Sequence, residues 1–461
     1  KDVSNVESIR YIPLDKKIIG NKRITDKSNV VDIGFGEYYI KAKDEKKELQ
    51  EPSYSSWYEA PKGGMQFREK LSIEYQVNKD YNNKNLRILK KVVEENIHPK
   101  NKVLISASQY VNVKNGYKKN IKACIFYQSY SIQLYEKDLF YWYGENKEKT
   151  APGNGIIQWG VRYYSSRDLY HWKDEGLLIP PDVENEKSLL HPSSKVERPH
   201  IVYNKLTRKY VCWMKVICDK EQLAIILVAD QFTGPYMIVK SGFKPLGMFM
   251  GDFDLIQDEK GRGYLCFEKV HTDMIMAELT EDFTDVTGKY CVMFSHKSPP
   301  YVRESPAYFH HNGKHYVITS GTTGYHPNPS EVAVSDTIVG SWKVLGNPHI
   351  YDTSNTSFGS QISSVFQHPH KKNLYIALGD RWMPYLRDLN PEDYDNGKTY
   401  EAIKNNFEWN FSDDEKMRKK VNWTVPAPNT SQSDYVWLPI IFEDKIPHIY
   451  WKDRWSIQEF D

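Results

Sequence analysis

Cysteine is scarce in this chain. Five residues, Cys124, Cys212, Cys218, Cys266 and Cys291, are an odd number. They sit mostly within apolar runs and show no CxxC pairing. That supports neither a disulfide framework nor a zinc site and points to buried free thiols. The pattern is compatible with the cytoplasm or with a disulfide-poor exported protein. Long apolar runs are missing as well. The longest are strand-sized, far below the ~20 residues of a membrane span. No secretory leader is visible, and a chain beginning at Lys1 is compatible with a processed form. Neither charge dominates, since 62 Lys and Arg nearly balance 60 Asp and Glu. With no long basic run, nucleic acid is not an expected partner.

Aromatic residues are abundant. The sequence holds 33 Tyr and 12 Trp against 10 Met. Tyr and Trp combine an apolar body with a polar edge, which suits β-strands and surfaces that stack on sugar rings. Hydrophobic residues make up 40% of 461, enough for a sizeable core. The length suggests one large domain with a smaller one.

The organising signal is a turn followed by an aromatic-rich apolar run. It occurs at residues 135–143, 205–214, 258–267, 311–319 and 370–378. Each copy reads as a hairpin turn entering a buried strand. A second element, a small polar residue, a turn and a returning aromatic, occurs at 165–172, 229–236 and 334–342. Units recurring every ~50–70 residues match propeller blades rather than helical solenoids. The predicted fold is therefore all-β, a five-bladed β-propeller over residues 104–461. Strands near 435–439 and 447–451 either complete the last blade or close the ring. Residues 383–432, polar and rich in Asn, Asp and Pro, read as a long insertion on one face.

Residues 1–103 lack the repeat and are expected to form a small N-terminal accessory region of unknown role. Within it Val30 to Ala42 reads as strand. Leu86, Leu89, Val93 and Ile97 make a helical stripe that His98-Pro99 ends.

Inner strands of a propeller offer their side chains to one central funnel. Four acids recur near blade starts or ends: Glu145, Glu197, Asp252 and Glu304. A ring of acids suits glycoside cleavage, which needs a proton donor at the leaving oxygen and a group that activates water on the opposite face. Burial and neighbouring carboxylates raise a donor's pKa. Taken singly, each acid is equally readable as a turn residue or an ion-pair partner.

Seven stretches, in order, resemble glycoside hydrolase family 43, and within it the exo-β-1,3-galactanase and galactosidase branch. They are Tyr141 to Glu145, Val161 to Leu169 with Trp172, Glu197 to Asn204, Arg303 to Ala307, Thr322 to Asn328, Gly379 to Trp382, and Tyr435 to Pro439. The resemblance implies a five-bladed propeller and makes Glu304 the general acid. It assigns Asp252 to tuning and holding that acid, with Asp254 as its rival. Glu145, Glu197 and Arg198 would bind the terminal sugar, with Thr323 (or Thr322) and Trp382 lining the same subsite. The branch carries glutamine at the base position, and Gln361 matches it. Its role stays open between orienting water, acting as an imidic tautomer, and binding substrate while another acid takes the proton. Three departures stand out. Cys124 replaces a pocket histidine, Lys215 to Leu223 lacks a sugar-contacting tyrosine, and Tyr325 stands where Trp is usual.

The expected activity is an inverting exo-β-1,3-galactosidase releasing terminal galactose from β-1,3-galactan, acting on an oligo- or polysaccharide as a monomer. No cofactor is expected; a structural calcium is conceivable, but no loop has calcium-ligand spacing. A polymeric substrate implies a secreted, periplasmic or cell-surface location. The alternatives are an α-L-arabinofuranosidase on the same scaffold, a catalytically decayed sugar-binding propeller, and a propeller that binds protein.

Overall fold

The structure is a computed structural model. It describes residues 139–150, 153–218, 221–296, 298–428 and 433–460 with side chains. It also gives the backbone of six strands further upstream. Three of those, Val6–Pro13, Asn29–Asp32 and Gly36–Ala42, form an antiparallel sheet with Gly36–Ala42 in the middle. The stretch read as one strand from Val30 is thus two strands, Asn29–Asp32 and Gly36–Ala42, paired antiparallel. Val111–Val113 pairs with Ile121–Ala123. The helical stripe at 86–97 and Cys124 lie outside the described residues.

Five antiparallel sheets, met in chain order, form blades I to V. Their inner strands are Ser131–Glu136, Lys195–Asn204, Met250–Gln257, Arg303–His311 and Gln361–Gln367. In every blade the repeat's aromatic run is the second strand, entered through the hairpin turn anticipated above. Asp434–Glu443 and Ile446–Tyr450 complete blade V, and His349–Ile350 runs parallel along its outer edge.

Strand alternation builds the core between blades. In Lys209–Cys218, the side chains of Cys212, Met214 and Val216 pack toward blade I, while Val211 and Trp213 pack toward blade III. Successive residues point to opposite sheet faces, so each middle strand serves two cores and reads as almost continuously apolar. Lys215 interrupts that run, and its position puts it on the face turned to blade III.

Each blade comes from one continuous stretch of chain, so the ring is closed by side chains. Trp142 of blade I meets Trp437 and Tyr435 of blade V edge-on at 5.1 and 5.3 Å, and Trp172 meets Trp437 at 5.8 Å. Pairs of this geometry add about 0.5–1.5 kcal/mol each beyond the area they bury. This is one use of the aromatic excess.

The insertion lies between the second and third strands of blade V and is helical, which its polar composition concealed. Its longest helix, Lys398–Asn410, keeps only a narrow buried stripe with Ile403 and Asn406. A helix docked along so thin a seam gives a weak periodic signal.

Candidate active site

The candidate acids Glu145, Glu197, Asp252 and Glu304 gather about Arg198, and irregular backbone aims the three that lie on inner strands. Register slips interrupt the inner strands between Glu197 and His200, Met250 and Phe253, Glu304 and Ala307, and Ile362 and Ser364. Bulges of this kind bend a strand and re-aim its side chains. In blades II and IV the slip falls on Glu-Xaa-Pro. Arg198 and Ser305 hold left-handed backbone, with φ of 54° and 50°. Such backbone is costly for a residue with a side chain, by about 1–3 kcal/mol, and here both residues turn toward each other.

Arg198 is the hub. One terminal nitrogen donates to Ser305 Oγ at 3.0 Å, and the other reaches Gln361 Oε1 at 2.7 Å and Asp252 Oδ2 at 2.6 Å. Its backbone N–H donates to Glu145 Oε1 at 2.9 Å. The buried guanidinium therefore ties blade II to blades III, IV and V, and the backbone N–H ties it to blade I. Gln361 Nε2 donates to Glu304 Oε1 at 3.1 Å and to Ser320 Oγ at 2.8 Å. Asp380, also buried, lies beside Gln361 on the next strand.

The electrostatics separate the acids into two kinds. Burial pushes the Glu304 carboxyl well above the usual carboxylate range, and the charges of Asp252 and Glu268 add to the push. Arg198 and Lys215 offset only part of it. A carboxyl so placed holds its proton where an ordinary glutamate has lost it. Burial also raises Glu145, with Lys147 at 2.9 Å opposing it. Glu197 and Asp252 go the other way. Burial disfavours their charge, but Lys215 and Lys195 outweigh it at Glu197, and Arg198 and Lys215 outweigh it at Asp252. The site thus holds a protonated acid beside two fixed carboxylates.

Asp252 and its rival are distinguished by their partners. Asp254 accepts from the Tyr308 backbone N–H at 2.8 Å and sits 3.2 Å from His200 Nδ1. It braces blades II, III and IV against one another. The structure does not bring Thr323 or Trp382 into the carboxylate cluster. The Thr323 hydroxyl donates to the His326 carbonyl and accepts from Asn328, at 2.6 Å in each case. Trp382 is buried against Tyr325 at 5.5 Å, and the Tyr325 hydroxyl donates to Glu197 Oε1 at 3.3 Å. Among the described residues, no group of three His, Cys, Asp or Glu side chains converges as a metal site.

Several members of the cluster escaped the sequence reading: Lys147, Lys215, Glu268, Ser305 and Ser320. Lys215 was detectable, because a single lysine within an otherwise apolar strand must find a carboxylate if that strand is buried. Glu268 had no such mark. It approaches the axis because Gly251 opposite lacks a side chain, and a Cβ there would overlap its carboxylate. Gly251→Ala is expected to cost about 1–3 kcal/mol of stability and to lower the pKa of Glu304 by displacing Glu268. Thermal melts and the alkaline limb of a pH–rate profile check both effects.

The sequence profile of glycosyl hydrolases family 43 matches residues 123–413, more than half of the chain. The chain belongs to this family. Among solved structures, a family 43 β-1,3-galactosidase with galactodeoxynojirimycin is 25% identical with a TM-score of 0.57, and the match covers 73% of this chain and 97% of that one. A second family 43 β-1,3-galactosidase is 24% identical with a TM-score of 0.58, over 78% of this chain and 65% of its own. An exo-β-1,3-galactanase from Phanerochaete chrysosporium, solved with galactose, is 21% identical with a TM-score of 0.57, over 78% and 69%. No curated protein matches the chain. Membership of family 43 makes the protein a glycoside hydrolase with a carbohydrate substrate, and the five blades are the fold expected of it. Among the described residues no helix is long and apolar enough to cross a membrane.

Proposed function

We propose that the protein is an inverting exo-β-1,3-galactosidase that removes terminal galactose from β-1,3-linked galactan. The observation that carries this reading is the Glu304–Gln361 contact at the axis: a carboxyl held protonated by burial touches a neutral amide fixed by Arg198. Glu304 gives its proton to the glycosidic oxygen as the bond breaks. Gln361 orients the attacking water, which loses its proton to the neighbouring Asp380 carboxylate as its oxygen bonds the anomeric carbon, and solvent later returns a proton to Glu304. The incoming sugar and water replace the direct contact between the two side chains. A neutral amide is no nucleophile, and both oxygens of Asp252 are committed to Arg198 and Lys215. With a neutral amide rather than a carboxylate in contact with Glu304, water attacks directly and the anomeric centre inverts. Glu145 and Glu197 accept hydroxyls of the terminal sugar. The galactose assignment is supported by the β-1,3-galactosidase that matches at 25% identity over 97% of its length. The chemistry proposed here requires no cofactor. A polymeric substrate implies a secreted, periplasmic or cell-surface enzyme, and we propose that it acts as a monomer.

Incubation with β-1,3-galactan, with the products separated by chromatography, tests the reading. Free galactose released stepwise, first seen by NMR as the α-anomer, is the expected outcome. Release from an arabinofuranoside but not from a galactoside overturns the sugar. Binding of galacto-oligosaccharides without turnover overturns the chemistry.

A further inference from the structure

Lys215 stands where the sequence departs from the galactanase branch, and it sits at the centre of the site. Its Nζ is 2.6 Å from Glu197 Oε2 and 2.9 Å from Asp252 Oδ1, and all three side chains are buried. Strand alternation explains its aim, since it continues the Val211–Trp213 face that packs on blade III. A lysine in so closed a place is stable only when paired. Both of its partners have roles in the reading above: Glu197 accepts a sugar hydroxyl and Asp252 bears on the acid. We propose that Lys215 is a positioning residue that joins sugar recognition to acid strength, aligning Glu197 and setting, together with Asp252, the pH at which Glu304 gives up its proton. The proposal rests on the proposed galactosidase chemistry.

The groups that face Glu304 fix the direction of the effect. From blade III come Asp252 and Glu268, the latter bonded to His271 at 2.9 Å. From blade II come Arg198 and Lys215, while Arg303 neighbours Glu304 on its own strand and Asp380 faces Arg198 from blade V. Lys215 pulls the Glu304 pKa downward. Removing its charge leaves Asp252 ionised on Arg198 at 2.6 Å, still repelling Glu304. The acid therefore becomes weaker, and the alkaline limb of activity moves to higher pH.

Lys215→Met keeps the length and the apolar stem and removes the charge; Lys215→Gln removes the charge and keeps a donor. With β-1,3-galactobiose, either variant is expected to shift the alkaline limb of kcat/KM upward by about one pH unit. Each should also raise KM by about tenfold or more through the loss of alignment at Glu197. Lys215→Arg restores the limb and not KM, because a planar fork does not replace a point charge. An unshifted limb in both charge-removing variants overturns the inference while leaving the galactosidase reading intact. Failure of the wild type to cleave galactobiose overturns the reading instead. The melting temperature followed against pH then still tests Lys215. Its decline extends to higher pH in the variants if Lys215 holds the acid down, and the curves run parallel if it only fills space.

Discussion

Glu304→Gln is expected to lower kcat/KM on β-1,3-galactan by about 10²–10⁴-fold, the usual worth of a positioned general acid. The amide keeps the shape of the side chain and its place beside Gln361, but has no proton to give. The loss should shrink on aryl galactosides with acidic phenols, whose departure needs little protonation. Steady-state kinetics on the two substrate classes separate an acid from a mere binding residue. The substitution also has a signature in stability. A carboxyl whose pKa is raised by folding stabilises the native state fully below its unfolded value. That contribution is lost as the pH rises through the folded value. For Glu304 the wild-type melting temperature should therefore fall with increasing pH across a range that starts near ordinary glutamate titration and runs well above it. The variant, neutral throughout, should show a flatter curve and overtake the wild type on the alkaline side.

Arg198→Ala is expected to have the largest effect on stability, about 3–5 kcal/mol, the cost of removing one partner from a buried ion pair. Asp252 would keep only Lys215, and Gln361 Oε1 and Ser305 Oγ would lose a donor together. Removing a preorganised donor from such a site costs about 10²–10³-fold in rate, so activity should fall along with the denaturation midpoint. Arg198→Lys should recover part of the stability through the Asp252 pair and little of the activity. An ammonium on a flexible stem cannot serve Ser305, Gln361 and Asp252 from one rigid plane. Equilibrium unfolding in denaturant and kcat/KM on galactobiose measure the two effects separately.

Much of this was legible in the sequence, for identifiable reasons. The second strands of the blades are flanked on both sides by other blades, so their apolar runs are long and their hairpin turns regular. Period and turn chemistry alone gave five units. Glu197 and Glu304 stood out because each recurs near a blade boundary in a Glu-Xaa-Pro stretch that resembles the family, a local feature that sequence preserves. What remained hidden depends on contacts between blades. Nothing near Glu268 in the chain announces that Gly251 leaves room for it, and Lys147 looks like any solvated lysine until Glu145 is seen 2.9 Å away. Thr323 and Trp382 failed to join the cluster for the converse reason. Both lie in stretches that resemble the family, but the Thr323 hydroxyl is used up within its own loop and Trp382 is turned into the packing beneath Tyr325. The helices of the insertion were missed because so little of their surface is buried.

The join between blades I and V has a consequence for how the molecule comes apart. Among the described residues no strand crosses it, so rings of Trp142, Trp172, Tyr435 and Trp437 must hold what backbone holds elsewhere. Loosening there would let the first blade swing outward, carrying Glu145 away from the Arg198 backbone. The remaining grip on the sugar, and the proton donor itself, belong to blades II to V and would stay in register. Early thermal damage should thus blunt substrate affinity before it silences turnover.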